Sequence, residues 1–307
     1  MSKVEEFEEL RPLLFSIAYR ILGSVGEAED AVQESWLRFD ASPARPASLK
    51  AFLSATVTRI AIDVLRSARV RREQYVGPWF PEPLLSDPYE DPARAAELAD
   101  SVSVAALLLL ERLSPLERSV FVLREVFAFG FDEIAAAVER SEAACRQLLV
   151  RGRRHMRDGR PRFEADRQER QELAARFFDA LREGDVNGLQ DLLAADVSMV
   201  GDGGGKAPQL AKAVSGAGKV ARLLASVFPL MARIDVTFVE AEVNGQPGAV
   251  FRDRDGLVLH TLVLEVLDGR IQTIRTVINP DKLGHLGPVA DAFAVAREVK
   301  QARRHTN

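Results

Sequence analysis

Apolar residues recur at helical spacing through the first 160 positions, then give way to shorter, β-branched runs. Phe7, Leu10, Leu14, Ile17, Ala18 and Ile21 mark a helix that stops at the Gly23 to Gly26 turn. Ala28, Ala31, Val32, Ser35, Trp36 and Phe39 mark a second, with both aromatic rings directed to the core. A third runs from Leu49 to about Glu73 and turns Phe52, Leu53, Thr56, Ile60 and Val64 inward. Five prolines between Pro78 and Pro92 fix φ and remove backbone donors, which predicts an extended linker. Its Trp79, Phe80, Leu84 and Leu85 are too apolar for a free tether and are expected to rest on a neighbouring domain.

Leu107, Leu110, Leu113, Leu116, Val120, Leu123 and Val126 give two more helices around Ser114-Pro115, where Glu117 completes a capping box. FDEIAAAVE, a break at Arg140 and Ser141, and EAACRQLLVRGRRHMR then describe a helix-turn-helix with Ser141 as N-cap of its second member. Beyond Pro161 a helix around Leu173, Phe177, Phe178 and Leu181 leads through Gly184-Asp185 to another ending near Leu193. The remainder reads as mostly strand-like: 236–243, 249–251, 257–267 and 271–277 are β-rich, and Asp268-Gly269 is a hairpin turn. Helices followed by a strongly antiparallel sheet predict an α+β domain, with a weak amphipathic helix of basic end after residue 286.

Charge changes this picture by its distribution. The 307 residues sum to −4, yet 142–162 carry seven arginines against Glu142 and Asp158, and 59–72 carry five against Asp63. Two cationic patches on an acidic chain point to a nucleic acid. The N-terminus MSKVEEFEEL has no export pattern and no apolar run reaches membrane-spanning length. The single cysteine, Cys145, excludes an internal disulfide and reads as a small buried hydrophobe, which together predict a cytoplasmic protein. His155, His260, His285 and His305 form no spaced pair, so neither a metal nor another cofactor is expected. Gly205-Lys206 and Gly218-Lys219 lack the earlier glycine and the following Ser/Thr of a phosphate loop.

The first 160 residues resemble the extracytoplasmic-function sigma factors of bacterial RNA polymerase, which keep only regions 2 and 4. EAEDAVQESWLRF (27–39) is similar to the region 2 helix that docks on the β′ clamp; the resemblance assigns polymerase contact to Asp30, Gln33 and Glu34. TRIAIDVLRSARVRR (58–72) is similar to the segment that opens the minus-ten element, implying roles for Arg59, Asp63, Arg66, Arg69, Arg71 and Arg72. Many relatives have Asn where this chain has Arg59. Asp63 reads equally well as an intrahelical partner of Arg59 or Arg66. LSPLERSVFVLREVFAFGFDEIAAAVERSEAACRQLLVRGRR (113–154) resembles region 4, reader of the minus-thirty-five element beside the β flap. There Ser141, Arg146 and Gln147 sit at the groove-facing start of the recognition helix, with chemistry suited to bases for Arg146 and Gln147, and Arg151, Arg153 and Arg154 suit phosphates.

The C-terminal half resembles SnoaL-like domains, the α+β cones of the nuclear transport factor 2 superfamily, which a SigJ-type subgroup of these factors carries. Its signatures stand here as Trp79-Phe80-Pro81-Glu82-Pro83, Asp202-Gly203-Gly204-Gly205-Lys206 and Asn279-Pro280-Asp281-Lys282-Leu283, with Phe80 where the family usually has Leu. The expected organisation is region 2 over 1–75, linker over 76–95, region 4 over 96–160, the cone over 165–285 and a tail over 286–307. The expected fold is multidomain: two all-α domains, then an α+β cone.

The resemblance implies a promoter-specificity subunit that binds core RNA polymerase and promoter DNA. The cone is expected to fold back on the linker and to regulate in cis, without an obligate anti-sigma factor and without a membrane. Two alternatives compete. One is a helix-turn-helix regulator with a ligand-sensing domain. The other is an isomerase or cyclase using Asp202, His260 or Asp281 on a small molecule in the cone.

Overall fold

The computed structural model describes residues 2–43, 45–89, 91–157, 167–208 and 212–304, with side chains other than those of 68–73, 92, 95, 96 and 157. The chain divides into two compact units, Met1–Gln74 with Ser86–Pro161, and Tyr75–Leu85 with Arg162–Asn307.

The first unit is all helical. Helix α1 (Lys3–Leu22) opens on a capping box between Ser2 and Glu5 and ends at Gly23 in the left-handed region. Helices α2 (Val25–Asp40) and α3 (Leu49–Glu73) pack with it around Leu14, Ile17, Ile21, Phe39, Leu53 and Val57. Trp36 lies between Phe7 and Phe39, ring centroids 5.1 and 6.1 Å away.

Helices α4 (Ala95–Ser101), α5 (Val104–Leu110) and α6 (Pro115–Phe121) follow, α6 being capped by Ser114 and Glu117 and continued by a π-helical turn over Val122–Val126. The helix-turn-helix is α7 (Phe131–Val138) and α8 (Glu142–Arg157), with Glu139 at φ 54° making the sharp exit from α7. Buried Leu107, Val120, Leu123, Ile134, Cys145, Leu148 and Leu149 hold α5 to α8 together. Both halves of this unit touch, α3 against α6 and α7.

In the second unit α9 (Arg167–Glu183) and α10 (Val186–Leu192) precede a six-stranded sheet. Its strands are β1 (Leu193–Asp202), β2 (Val214–Ser215), β3 (Thr237–Val243), β4 (Gln246–Arg252), β5 (Val258–Leu267) and β6 (Arg270–Val277), in the order β2-β1-β6-β5-β4-β3. Asp268 and Gly269, both at positive φ, turn β5 into β6, and Asn244 with Gly245 do the same between β3 and β4.

The mostly strand-like, strongly antiparallel reading of the chain beyond residue 193 needs two corrections. Residues Ala217–Ala232 form a helix, α11, that packs Val220, Ala221 and Leu224 into the core. Gly216, Gly218 and Pro229 masked it, since all three lower helix propensity while tertiary burial of one face overrides them. The sheet is also not wholly antiparallel: β1 pairs in parallel with β6, reached by the long excursion between them. A last helix, α12 (Ala292–Arg304), packs on α11.

Candidate functional sites

Helix α8 is sharply two-sided. Cys145, Leu148, Leu149 and Gly152 are buried, whereas Arg146, Gln147, Val150, Arg151, Arg153 and Arg154 are exposed. Gly152 faces the Phe121 ring, where a Cβ would sit in ordinary contact at 3.6 Å. Ser141 Oγ accepts from Ala144 N at 3.2 Å and so caps the helix, which is the contact the structure gives it. Arg146 pairs with Glu142 at 2.6 Å and lies 4.8 Å over the Phe131 ring; Arg151 reaches Glu117 and Arg153 reaches Glu125. The Arg146–Glu142 pair is exposed on both sides and so of small stability, whereas Glu117, the partner of Arg151, is largely buried.

On α3, Asp63 pairs with Arg66 at 3.0 Å, one of the two intrahelical partners open to it. Arg59 does not pair with Asp63 but turns to α7. Its guanidinium donates to Ala136 O at 2.6 Å and Ala137 O at 3.2 Å and meets Glu139, binding the C-terminal end of α7. The side chains of Arg69, Arg71 and Arg72 lie outside the described residues. On α2, Asp30 and Gln33 are exposed, Glu34 pairs with Arg38, and Glu29 with Arg11.

The motifs of the second unit converge on one residue. Asp202, fully buried at the end of β1, accepts from Tyr75 Oη at 2.5 Å, from Phe80 N at 2.8 Å and from Lys282 Nζ at 2.7 Å. Lys282 also donates to Phe80 O and lies under the Tyr75 and Trp79 rings, 4.7 and 4.4 Å from their centroids. Asn279 Nδ2 donates to Tyr75 Oη at 2.7 Å, and its backbone N donates to Asp202 O. His285 Nε2 donates to Pro83 O at 2.6 Å, while Asn244 pairs both ways with the backbone of Leu84. Phe80, Pro81, Pro83 and Leu84 are buried; Leu85, expected to rest on a neighbour, is 38% exposed.

The glycine run explains how the segment comes so close. Gly204 at φ +58° and Gly205 at φ +72° turn the loop, and a Cβ on Gly204 would fall 2.3 Å from Asn279 Nδ2 and 2.8 Å from Tyr75 Oη. Lys206 pairs with Asp281 at 2.5 Å outside the cluster, Glu82 is half-buried, and Leu283 is in the core. Burial and the bond to Asp202 both push the Tyr75 phenol well above its ordinary pKa.

The comparisons with known proteins bear on both units. Residues 7–71 match the family model of Sigma-70 region 2, and residues 103–156 that of Sigma-70 region 4. The ECF RNA polymerase sigma factor SigJ of Mycobacterium tuberculosis is 37% identical over 91% of this chain and 93% of its own length. The chain belongs to the ECF RNA polymerase sigma factors. A probable ECF sigma factor of that organism, SigI, is 30% identical over 90% of this chain and 93% of its own. The crystal structure of SigJ matches with a TM-score of 0.71 at 34% identity, covering 94% of this chain and all of that one. The fold, sigma region 2 and region 4 helices followed by an α+β domain, is therefore that of the SigJ crystal structure.

Several residues of this sigma factor escaped sequence reasoning. Tyr75, Asn244 and His285 hold the linker, yet Asn244 reads in sequence only as a turn former. Arg20 is fully buried, pairs with Asp87 at 2.8 Å and donates to Ser101 Oγ and Leu98 O; Arg118 donates to Arg20 O and pairs with Glu111. Nothing in a lone arginine's sequence context announces burial. The carboxylates and imidazole weighed for catalysis are otherwise engaged. Asp202 is committed to the linker, Asp281 to Lys206, and His260 is buried and stacked 4.2 Å from Phe251. Among the described residues no group of three or more His, Cys, Asp or Glu is arranged to hold a metal, and no helix is long and apolar enough to cross a membrane.

Proposed function

We propose that this sigma factor works as two clamped surfaces under the control of a tethered domain. Arg146 and Gln147 read bases of the minus-thirty-five element from α8, with Arg151, Arg153 and Arg154 on phosphates. Arg59, Asp63, Arg66, Arg69, Arg71 and Arg72 line the path of the minus-ten strand, and Asp30, Gln33 and Glu34 meet the polymerase β′ clamp while region 4 meets the β flap. The SnoaL-like domain captures the segment between regions 2 and 4 and so sets how far they can separate.

The observation that carries this reading is Asp202: a buried carboxylate takes its hydrogen bonds from the linker backbone, the linker tyrosine and Lys282. A tethered domain meets its target at an effective concentration reaching roughly millimolar, so a modest contact suffices. The domain acts by regulation without catalysis, in the cytoplasm and with no cofactor, and it stands in for an obligate anti-sigma protein; a small molecule in the cone shifts its grip only by binding the two arrangements differently.

Run-off transcription with core enzyme tests the proposal on the full chain, a chain ending near residue 160 and one ending at 283. Altered output from the truncations supports it. Equal output from all three makes the domain a passive appendage.

A further inference from the structure

We propose that Val150 is a base-reading residue of α8 whose methyl groups receive the 5-methyl of a thymine in the upstream promoter element. The inference rests on α8 being the DNA-reading helix. Val150 is 56% exposed at the middle of the helix, one of few large apolar side chains left to solvent among the described residues. It shares a face with Arg146, Gln147, Arg151 and Arg154, at i−4, i−3, i+1 and i+4, while Cys145, Leu148, Leu149 and Gly152 fill the opposite face.

Neither neighbouring arginine covers it. Arg146 is drawn toward Glu142 and the Phe131 ring, and Arg151 toward Glu117, which leaves a shallow depression bounded by Arg146, Gln147, Val150 and Arg151. A lone exposed valine is commonplace on a protein surface. Here it stands at the centre of the one cationic stripe of the recognition helix, so its occupant is polyanionic. The apolar group that a DNA duplex offers in the major groove is the thymine methyl. Valine is also a poorer helix former than the lysine, glutamine or arginine that would serve a merely solvated position.

The test uses the full chain with core RNA polymerase on promoter fragments selected from a randomised duplex pool. Each thymine of the upstream element is then replaced by deoxyuridine, which removes one methyl and leaves base pairing intact. At one position this should weaken binding by about fourfold, the equivalent of burying one methyl. Val150→Ala should lose about the same on the thymine promoter and show no further loss with deoxyuridine. Val150→Thr, which keeps one methyl, should fall between.

Full deoxyuridine sensitivity in Val150→Ala overturns the proposal, as does a selected element with no preferred thymine. An equal loss on both templates would mean that Val150 contacts polymerase instead. Arg146→Ala and Gln147→Ala separate the levels. If they too leave promoter affinity unchanged, the assignment of α8 to DNA has failed; if they weaken it while Val150→Ala does not, only the thymine contact has.

Discussion

Asp202 and Lys282 form a pair in which the carboxylate is fully buried and the ammonium is 8% exposed, and each also bonds the linker. Removing one partner strands the other charge away from water, so Asp202→Ala should cost about 3–5 kcal/mol, read from urea unfolding of the full chain. Protease should then cut within 75–85. Tyr75 adds a pH dependence. Its pKa is raised in the folded state, so the stability it lends is complete below the ordinary tyrosine value of about 10 and declines as pH rises above it. Linker protection should weaken in that alkaline range, and Tyr75→Phe should remove the dependence. His260 runs the other way. Burial lowers it to about 3, so the unfolded chain takes up a proton below about 6.5 that the folded one refuses. Its contribution is present above about 6.5 and lost as pH falls toward 3; a His260→Phe variant should show a flatter acid limb in urea midpoints.

Elements differ in how openly the sequence declares them. The N-cap Ser141 and the capping boxes at Ser2 and Ser114 are local signals, satisfied within a few residues of chain, and the structure uses all three. Ser141→Ala should destabilise the helical unit by about 1 kcal/mol in thermal unfolding, with α8 fraying from its N-terminus in hydrogen exchange. The parallel strand β1 and helix α11 carry no such local signal. Asp196 and Gly201 interrupt the apolar pattern of β1, and it is held by β6 and β2 on either side. The DGGGK loop is legible as a turn, but its reason is not. The approach of Asn279 and Tyr75 and the left-handed backbone at φ +58° both disfavour a side chain at Gly204, so Gly204→Ala should lower stability by roughly 1–3 kcal/mol and loosen the linker without touching any charge.

For the molecule as a whole, the question is how regions 2 and 4 come apart. Within the helical unit Arg59 spans α3 and the end of α7, and buried Arg20 ties α1 to Asp87 and to α4. Arg59 is 43% exposed and Glu139 70%, so the pair itself contributes under about 1 kcal/mol. Arg59→Ala should therefore leave the unfolding midpoint nearly unchanged while a fluorescence pair on α3 and α8 reports a longer mean distance. Asp87→Ala removes the counter-charge of a fully buried guanidinium and should cost about 3–5 kcal/mol instead. An unchanged distance distribution in both variants would show that apolar packing alone keeps the regions together.

The sequence by itself determined the helices other than α11, the caps at Ser114 and Ser141, the helix-turn-helix and the strands from 236 onward, because these follow from periodicity and from turn chemistry spanning a few residues. It also supplied the three motifs that meet around the linker. Tertiary structure decided that Asp202 is their common acceptor, that Lys282 is sandwiched by Tyr75 and Trp79, that Arg59 binds a helix end, and that Arg20 is buried. Those outcomes depend on partners up to about two hundred residues away, and a long-range contact leaves no period in the chain that makes it.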